Sequence, residues 1–412
     1  MAISDCDRAI ALDNSFSKAY LQKGIFCMKL KNYREAEDIM SSAAKVFIIY
    51  DNDMNTHRPK IREPENAKRI PAIIDRLAKD RLLERCQVMS VAPTVDEEHV
   101  LAVHSAEYYD FIKRLPMKGS ELHPYREYFV PPLDSSGGTP MAASKAARAV
   151  VEACRQVATG CAETAFAIVR PPGHHAMRSI ASGFCFLNDI AIGARYLQQV
   201  QRLNKILIVD FDVHHGDGTQ DIFYNDRSVF SPYTEESNKL AEAIGDEEGQ
   251  GFNINLCLNH DITSDDMLLV FDYLFLPVAK QFSPDFVLVS AGLDAAKGDK
   301  LGKCLVDPSC YEDVVLRLKN LLPGKMVLAL EGGYDYRSSL PASCAACVKA
   351  LLCDGAEIRK PTYGKANSKT WKEIAEVRTN LSGFWSILSE EMQKPSKVDP
   401  NPTKDQLPPD KA

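Results

Sequence analysis

The chain has 412 residues, of which 45% are hydrophobic and 25% are charged, and its formal net charge is −7 at pH 7. These proportions are ordinary for a globular protein and exclude a collagen-like, coiled-coil or wholly disordered chain. The negative charge argues against a protein that coats nucleic acid, because phosphate binding needs a basic face. No apolar run reaches the roughly 18 residues that a membrane-spanning helix needs. We therefore expect neither a membrane nor a direct nucleic-acid partner.

The cysteines and the first residues of the chain bear on its compartment. The twelve cysteines are scattered, and the pair with C-x-x-C spacing, Cys344 and Cys347, lies in an apolar helical run. We interpret that pair as small buried helix residues rather than metal ligands. Asp5 and Asp7 argue against a secretory signal at the start of the sequence. We expect reduced thiols and residence in the nucleus, the cytoplasm or both.

The two ends of the chain differ from the rest. Residues 1–45 are predicted to be helical, and the offsets between Tyr20, Gly24 and Ala36 resemble a partial tetratricopeptide repeat. Fewer than about three such repeats cannot bury a common face alone. An amphipathic helical hairpin without a peptide partner is therefore an equal interpretation. Residues 395–412 are rich in proline, lysine and aspartate, and we expect them to be disordered.

Residues 46–394 alternate apolar, strand-like runs with helical stretches, and we treat them as one domain. The strand-like runs are VFIIYD, FAIVR, KILIVDFDV, FVLVSAGLD and KMVLALEGGY. Short, continuously apolar runs are typical of strands buried on both faces, as in a parallel sheet covered by helices. We predict an α/β fold with an open, doubly wound, mainly parallel sheet flanked by helices. A C-terminal helix pair that contains Trp371 and Trp385 is expected to lie against this sheet.

Histidines and acids concentrate directly after four of these runs. In open α/β sheets, ligands bind outside the carboxyl ends of the strands, so side chains at those positions are expected to converge. The candidates are His174 and His175 after FAIVR, Asp210, Asp212, His214 and Asp217 from KILIVD onwards, Asp294 after FVLVSAGL, and Tyr334 after KMVLALEGG. Scattered surface polarity does not explain this clustering.

Three of these side chains have the composition of a metal site. Asp212 and His214 alternate in an extended segment and project to one face, and Asp294 comes from another strand end. Two carboxylates and one imidazole with an open position are the ligand set of a catalytic zinc site. The alternative is that the aspartates cap loops and that His214 is an ordinary polar residue. We would favour that alternative for a single Asp-x-His, but not for this many groups at four strand ends.

His174 and His175 form a tandem imidazole pair in a glycine–proline turn. Hydrolysis at a metal needs a base that deprotonates water and an acid that protonates the leaving amine. Two histidines, each oriented by its own carboxylate, can hold different protonation states. Asp210 and Asp217 are the natural orienting carboxylates. A lone His-His pair would more often be structural, and only the surrounding residues support this interpretation.

Two aromatic residues extend the candidate site. Tyr334 follows a glycine pair and can donate its phenol O–H to a developing oxyanion, although it could also be an ordinary tyrosine at the rim. Phe184, after Gly183, can form the wall of a narrow channel. Considered alone, Phe184 would be assigned to the core.

Five motifs together carry a resemblance to a known family. They are RPPGHHA, GFCFLND, DFDVHHGDGTQ, FVLVSAGLDAAKGD and LEGGYD. This set resembles the zinc-dependent histone deacetylases, which have an arginase-like α/β fold, and Leu293 with EGGYD is closer to class II. The resemblance implies Zn²⁺ on Asp212, His214 and Asp294. It also implies K⁺ as a structural ion near Asp210.

The resemblance also implies roles for the remaining site residues. His175 would be the general base and acid, Asp217 its partner, and His174 with Asp210 the neighbouring pair. Tyr334 would stabilise the tetrahedral intermediate. The implied substrate-binding residues are Gly183, Phe184 and Leu301, and Arg69 would lie near a cavity behind the metal. Leu301 stands where polyamine-selective members have a glutamate, which favours acetylated protein lysine over acetylpolyamine.

The implied activity is hydrolysis of the acetyl amide of Nε-acetyl-lysine in histones or other proteins, with corepressors or chaperones as further partners. One departure qualifies it, because about ten residues of the family pattern are missing after Phe230. We expect this to shorten or remove a strand beside the metal. Two alternatives stay open: a catalytically impaired scaffold or binding protein, and a small-molecule amidohydrolase of the acetylpolyamine type.

Overall fold

The computed structural model describes residues 46–58, 63–92, 94–116, 137–235, 242–258, 261–353, 358–359 and 361–392. The predicted helical segment 1–45 and the predicted disordered tail 395–412 lie outside these residues. The strands are β1 Val46–Ile49, β2 Gln87–Met89, β3 Thr164–Ala167, β4 Ile206–Asp210, β5 Val229–Glu235, β6 Asn253–Cys257, β7 Phe286–Ala291 and β8 Met326–Leu330. They form one eight-stranded sheet within the described residues, in the order β2-β1-β3-β8-β7-β4-β5-β6.

Every neighbouring pair of these strands is parallel. The prediction of an open parallel α/β sheet is therefore confirmed. Strands β3, β8, β7 and β4 are buried along their whole length, which explains why their sequences are continuously apolar. These four strands are consecutive neighbours in the sheet. Their carboxyl ends therefore meet at one place on the sheet edge.

Helices cover both faces of the sheet. They are α1 Arg69–Lys79, α2 Glu97–Leu101, α3 Ala106–Lys113, α4 Thr139–Ala158, α5 Asp189–Gln199, α6 Asp217–Phe223, α7 Ser264–Val270, α8 Leu276–Phe282, α9 Pro308–Leu321, α10 Ser339–Leu352 and α11 Ser368–Leu381. One π-helical turn, Phe271–Phe275, joins α7 to α8. Helix α4 packs against α5, and α10 packs against both α9 and α1. Cys344 and Cys347 are buried in α10, as expected for small helix residues.

The segment after Phe230 forms a strand, so the expectation that this strand is removed is wrong. Strand β5 pairs with β6 over five register positions, but with β4 over only two, which end at Phe230. The expected shortening therefore falls on the β4–β5 ladder. Pro232 lies in the part of β5 beyond that ladder, where a missing N–H costs no bond to β4.

The prediction of a C-terminal helix pair is right for the first helix and wrong for the second. Helix α11 is followed by a 3₁₀ turn, Ser386–Ser389, instead of a second α-helix. The chain is fixed there by Trp385, whose buried indole Nε1 donates to the Gly251 carbonyl at 2.7 Å. This long-range bond anchors an extended Trp385 backbone in place of a helical one.

None of the described helices is long and apolar enough to cross a membrane.

Candidate active site

Four adjacent strands deliver the candidate residues to one edge of the sheet. His174 and His175 follow β3, Asp210 ends β4, Asp294 follows β7, and Tyr334 follows β8. Since β3, β8, β7 and β4 are neighbours in that order, residues far apart in sequence converge here. The arrangement matches the general placement of ligand sites in open α/β sheets.

Asp212, His214 and Asp294 form the centre of this cluster. One ligand atom from each lies within 4.8 Å of the others. His214 Nδ1 is 3.0 Å from Asp212 Oδ1 and 2.8 Å from Asp294 Oδ2. Both carboxylates are buried, with Asp212 1% and Asp294 0% exposed. Two buried carboxylates and one imidazole within this distance are a donor set that fits a Zn²⁺ ion.

Backbone N–H groups hold the two carboxylates in place. Val213 N donates to Asp294 Oδ1 at 3.0 Å, and Gly332 N donates to Asp212 Oδ2 at 2.8 Å. The approach is so close that a Cβ on Gly332 would stand 2.4 Å from Asp212 Oδ2 and 2.5 Å from Asp294 Oδ2. Only glycine fits there, which gives LEGGY a physical reason for its first glycine.

The electrostatics of this cluster favour a bound cation. Burial alone would lower the pKa of His214, but the charges of Asp212 and Asp294 outweigh it and raise that pKa to about 11. Burial and the Asp212 charge raise the pKa of Asp294 to about 7. Two carboxylates buried side by side are costly unless positive charge lies between them. Either a proton on His214 or a divalent cation bound by the three side chains can supply that positive charge.

The tandem histidines each have a carboxylate partner. His174 Nδ1 lies 3.0 Å from Asp210 Oδ2, and His175 Nδ1 lies 2.7 Å from Asp217 Oδ1. The two imidazole rings are 4.1 Å apart between centroids. These are the pairs that the sequence predicted. Their catalytic roles remain predictions at this point.

The two imidazoles differ in pKa because their surroundings differ. Burial opposes charge on His174, but Asp210, Asp212 and Glu331 outweigh it and raise its pKa to about 10. For His175, burial and the neighbouring positive charge of His174 together lower the pKa, in spite of Asp217. The pair therefore combines a charged imidazole with a neutral one that can accept a proton.

Tyr334 lies close to an aromatic ring and to a guanidinium group. Its ring is 5.9 Å from that of Phe184 and 5.3 Å from the guanidinium of Arg69. Burial and the charges of Asp212 and Asp294 raise the pKa of the Tyr334 phenol well above its usual value. The phenol therefore keeps its proton and can act as a hydrogen-bond donor.

Gly183 and Phe184 form a tight turn over His175. Both have positive φ, at +50° and +70° respectively, and a Cβ on Gly183 would stand 2.3 Å from His175 Cδ2. The backbone thus packs directly on the imidazole, and Phe184 is left half-buried beside Tyr334. Leu301, the third predicted substrate-binding residue, is 36% exposed. It lies at the surface and not in the central cluster.

Five buried charged residues hold these loops, and the sequence analysis gave a place to only one of them, Arg69, through the family resemblance. Glu331 Oε2 accepts from the N–H groups of Gly173 at 2.7 Å and His174 at 3.1 Å. Arg69 Nε donates to the Gly333 carbonyl at 2.7 Å, as a contact that supports the loop itself. The remaining members of this set are Glu65, Arg170 and Asp299. The sequence does contain one sign of this set, because Arg170 places a charge at the end of the apolar run FAIVR.

Together, the fold and this site define an α/β protein with a metal-type ligand cluster and paired acid–base histidines at the carboxyl edge of a parallel sheet. The family model described as the histone deacetylase domain matches residues 63–351. The chain belongs to the histone deacetylase family.

Known relatives agree with this assignment. The chain is 37% identical over 367 residues to Histone deacetylase 5 of Arabidopsis thaliana, covering 84% of this chain and 55% of that protein. It is 36% identical over 361 residues to the polyamine deacetylase HDAC10 of Homo sapiens, covering 84% and 53%. The crystal structure of the HDA15 HD domain superposes with a TM-score of 0.75 at 31% identity, covering 84% of this chain and 97% of that one. The chain thus spans about half the length of these curated relatives.

Proposed function

We propose that residues 46–394 form a zinc-dependent catalytic domain that hydrolyses the acetyl amide of Nε-acetyl-lysine in histones or other proteins. One observation carries the proposal: the Asp212–His214–Asp294 cluster, the two histidine–carboxylate pairs and Tyr334 lie together at one sheet edge. A K⁺ ion near Asp210 remains a prediction from the family resemblance. Nuclear or cytoplasmic residence and corepressor or chaperone partners also remain predictions.

The metal ligands and the general base have separate roles in hydrolysis. Bound by Asp212, His214 and Asp294, zinc would polarise the acetyl carbonyl and lower the pKa of the attacking water. His175 Nδ1–H donates a hydrogen bond to Asp217 Oδ1, which leaves Nε2 as the basic nitrogen. His175 takes the proton of the attacking water and returns it to the lysine amine as the C–N bond breaks. Acetate and free lysine leave.

His174 and Tyr334 act on charge rather than on the transferred proton. The imidazolium of His174, held by Asp210, stabilises the negative charge that develops beside it. The Tyr334 phenol, protonated because its pKa is raised, donates to the oxyanion of the tetrahedral intermediate. Phe184 packs along the lysine stem, and the Gly183 carbonyl accepts from the substrate amide.

Acetylpolyamine hydrolysis is the second candidate, because several relatives are named polyamine deacetylases. A polyamine carries a second ammonium group, which a carboxylate at the rim would attract and an aliphatic side chain would not. Leu301 supplies no charge at the exposed position that the resemblance assigns to this role. The scaffold alternative rests on the residues missing after Phe230; strand β5 is present there, with a short ladder to β4, and the complete set of ligands, histidine pairs and tyrosine favours an enzyme. Protein acetyl-lysine is therefore the substrate class we favour.

The decisive experiment is acetate release from an acetyl-lysine peptide by the zinc-loaded chain. We expect release by the parent and a fall in kcat of about 100-fold or more in Tyr334→Phe, since one oxyanion donor is removed. Tyr363→Phe is the matched control, because the Tyr363 hydroxyl bonds to Asp272, away from the site. A folded, zinc-containing parent without acetate release would overturn the proposal.

The substrate class is tested by comparing the peptide with acetylspermidine. We expect the parent to have the higher kcat/KM for the peptide, and Leu301→Glu to raise kcat/KM for acetylspermidine by about tenfold. The added carboxylate attracts the distal ammonium group of acetylspermidine. Leu301→Gln introduces a side chain of the same shape as glutamate but without its charge, and should change kcat/KM for acetylspermidine little. A higher kcat/KM of the parent for acetylspermidine than for the peptide would favour acetylpolyamine hydrolysis over protein deacetylation.

A further inference from the structure

A buried carboxylate outside the predicted site joins two of its loops. Asp299 is 4% exposed and lies in the loop that follows Asp294. Its Oδ1 accepts from the N–H groups of Leu301 at 2.8 Å and Gly302 at 3.3 Å. Its Oδ2 accepts from Tyr334 N at 2.6 Å and Asp335 N at 3.2 Å. All four donors are backbone groups, so this single carboxylate bonds to two loops at once.

One of these bonds falls on the peptide group that carries Tyr334. The Gly333–Tyr334 peptide offers its N–H to Asp299 and its carbonyl oxygen to Arg69 Nε, at 2.6 Å and 2.7 Å. Because the peptide group is planar, fixing both ends fixes the orientation of the whole unit. An anion at the N–H and a cation at the carbonyl also match the peptide dipole. The unit is thus held between two buried, oppositely charged side chains.

The loop needs such a clamp because it contains two glycines. Gly332 and Gly333 precede Tyr334, and Gly333 has a φ of +113°. Glycine leaves the backbone more conformations than any other residue, so these positions do not fix the phenol by themselves. Displacing a donor by about 1 Å is enough to cost a large part of its catalytic effect.

The other two bonds connect the clamp to the metal side of the site. The Leu301–Gly302 turn lies against Asp294, since a Cβ on Gly302 would stand 2.1 Å from the Asp294 carbonyl oxygen. Asp299 therefore keeps Tyr334 in register with the loop that follows a candidate ligand. The same carboxylate also fixes the backbone of Leu301 at the surface.

We propose that Asp299 is a positioning residue that, together with Arg69, clamps the Gly333–Tyr334 peptide and so aims the Tyr334 phenol at the reacting carbonyl. The proposal rests on the deacetylase function proposed above. None of the four bonds of the Asp299 carboxylate reaches a metal-ligand side chain, so Asp299 acts through Tyr334 and the Leu301 turn. A carboxylate is required, because the amide of an asparagine has one acceptor oxygen for two pairs of donors.

The experiment compares Asp299→Asn with Asp266→Asn in zinc-loaded protein. Asp266 is a matched control: it is 1% exposed and also joins two segments, through Thr263 N at 2.8 Å and Asn367 N at 2.6 Å. We expect Asp299→Asn to lower kcat about tenfold or more, with zinc content unchanged and KM changed less than about threefold. Asp266→Asn should lower stability and leave kcat unchanged.

A double-mutant cycle separates positioning from a general loss of structure. If Asp299 acts through the phenol, Asp299→Asn should cost little in a Tyr334→Phe background, because the group it aims is gone. Additive losses in the cycle, or an unchanged kcat in Asp299→Asn, would overturn the proposal. An inactive parent would instead overturn the deacetylase function on which it rests.

Hydrogen exchange tests the clamp even if the variant does not fold. In the parent, the Tyr334 and Leu301 amides should exchange at least about tenfold more slowly than the amide of Gly383. Gly383 lies in a turn, and its N–H donates no backbone hydrogen bond within the described part of the chain. Fast exchange at Tyr334 in the parent would overturn the clamp. Where Asp299→Asn does fold, we expect faster exchange at both amides.

Discussion

Glu65 illustrates at the residue scale how a buried charge can support a site that it does not enter. Its carboxylate accepts from Arg170 at 2.8 and 2.7 Å and lies 3.3 Å from Arg69 Nη1. Arg170 begins the turn that leads to His174, and Arg69 bonds to the Gly333 carbonyl. All three charged side chains are 0% exposed. One carboxylate therefore ties the histidine loop to the tyrosine loop.

The pKa of Glu65 predicts an acid-sensitive contribution to stability. Burial alone would raise this pKa, but Arg170 and Arg69 outweigh it and lower it from 4.5 to about 2. A carboxyl group whose pKa is lowered by folding stabilises the folded state at pH values above its pKa in the unfolded chain. This contribution, on the order of 3 kcal/mol, is lost as the pH falls from about 4.5 towards 2.

The test is denaturant unfolding of the parent and Glu65→Gln at pH 7 and pH 3. We expect Glu65→Gln to be less stable by roughly 3–5 kcal/mol at pH 7, because two guanidinium groups lose their partner. Its remaining pH dependence should be weaker than that of the parent. Glu84→Gln is the control, since the Arg81–Glu84 pair is 78% and 61% exposed. Equal pH dependence in the parent and Glu65→Gln would contradict the assignment.

Sequence reasoning reached some of these residues and not others for a physical reason. His174, Asp210, Asp212 and Asp294 stand directly after apolar runs, and the carboxyl ends of parallel strands share an edge. Their convergence therefore follows from local patterns. Glu65, which the sequence analysis did not reach, bonds to a partner 105 residues away. Arg69, which it reached only through the family resemblance, bonds to a partner 264 residues away. Nothing in the local sequence distinguishes such a buried charge from one on the surface.

At the scale of the elements, the end of β8 shows how closely the backbone approaches the ligand cluster. Gly332 lies between Asp212 and Asp294, with no room for a Cβ. We expect Gly332→Ala to weaken zinc binding by about tenfold or more while the fold persists, because the methyl group must displace both carboxylates. Gly383→Ala is the control, since nothing lies within 4 Å of its added Cβ.

Zinc stoichiometry after dialysis against a competing chelator measures this difference. Full retention of zinc by Gly332→Ala would show that the carboxylates can shift without losing the ion, and would contradict the steric argument. Circular dichroism checks that both variants remain folded.

The strands were predictable to different degrees. Strands β3, β4, β7 and β8 are buried along their length, and their apolar sequences predicted them. Strand β2 has three residues, none of them buried, and gives no such pattern. Strand β5 contains Pro232 and was expected to be shortened or lost. Pairing with β6 compensates for its short ladder with β4, and that pairing depends on a strand about twenty residues further along the chain.

At the scale of the whole molecule, metal binding and folding should be coupled. The two buried aspartates of the ligand cluster are held by backbone N–H groups from the strand ends, so the site exists only in the folded chain. A ligand that binds only the folded state stabilises it, by about 2.7 kcal/mol at 100 times its Kd. We expect zinc to raise Tm by several degrees in the parent, and to leave the Tm of Asp212→Asn nearly unchanged.

Differential scanning fluorimetry with chelator, then with added zinc, measures both proteins. Mg²⁺ serves as the control ion, because a site with an imidazole ligand favours zinc over a cation that prefers oxygen. An equal rise in Tm for the parent and Asp212→Asn would indicate that zinc binds elsewhere.

The uneven pairing of β4 has a consequence for how the sequence can change over evolution. Strand β4 carries the ligand segment and pairs with β7 over five positions, but with β5 over only two. The ligands are thus held from the interior side of the sheet, and the outer side contributes little to their placement. We expect insertions and deletions between Phe230 and β6 to be tolerated more readily than changes of equal size between β4 and β7. A family built on this plan can lengthen or trim its outer margin while the reacting groups keep their positions.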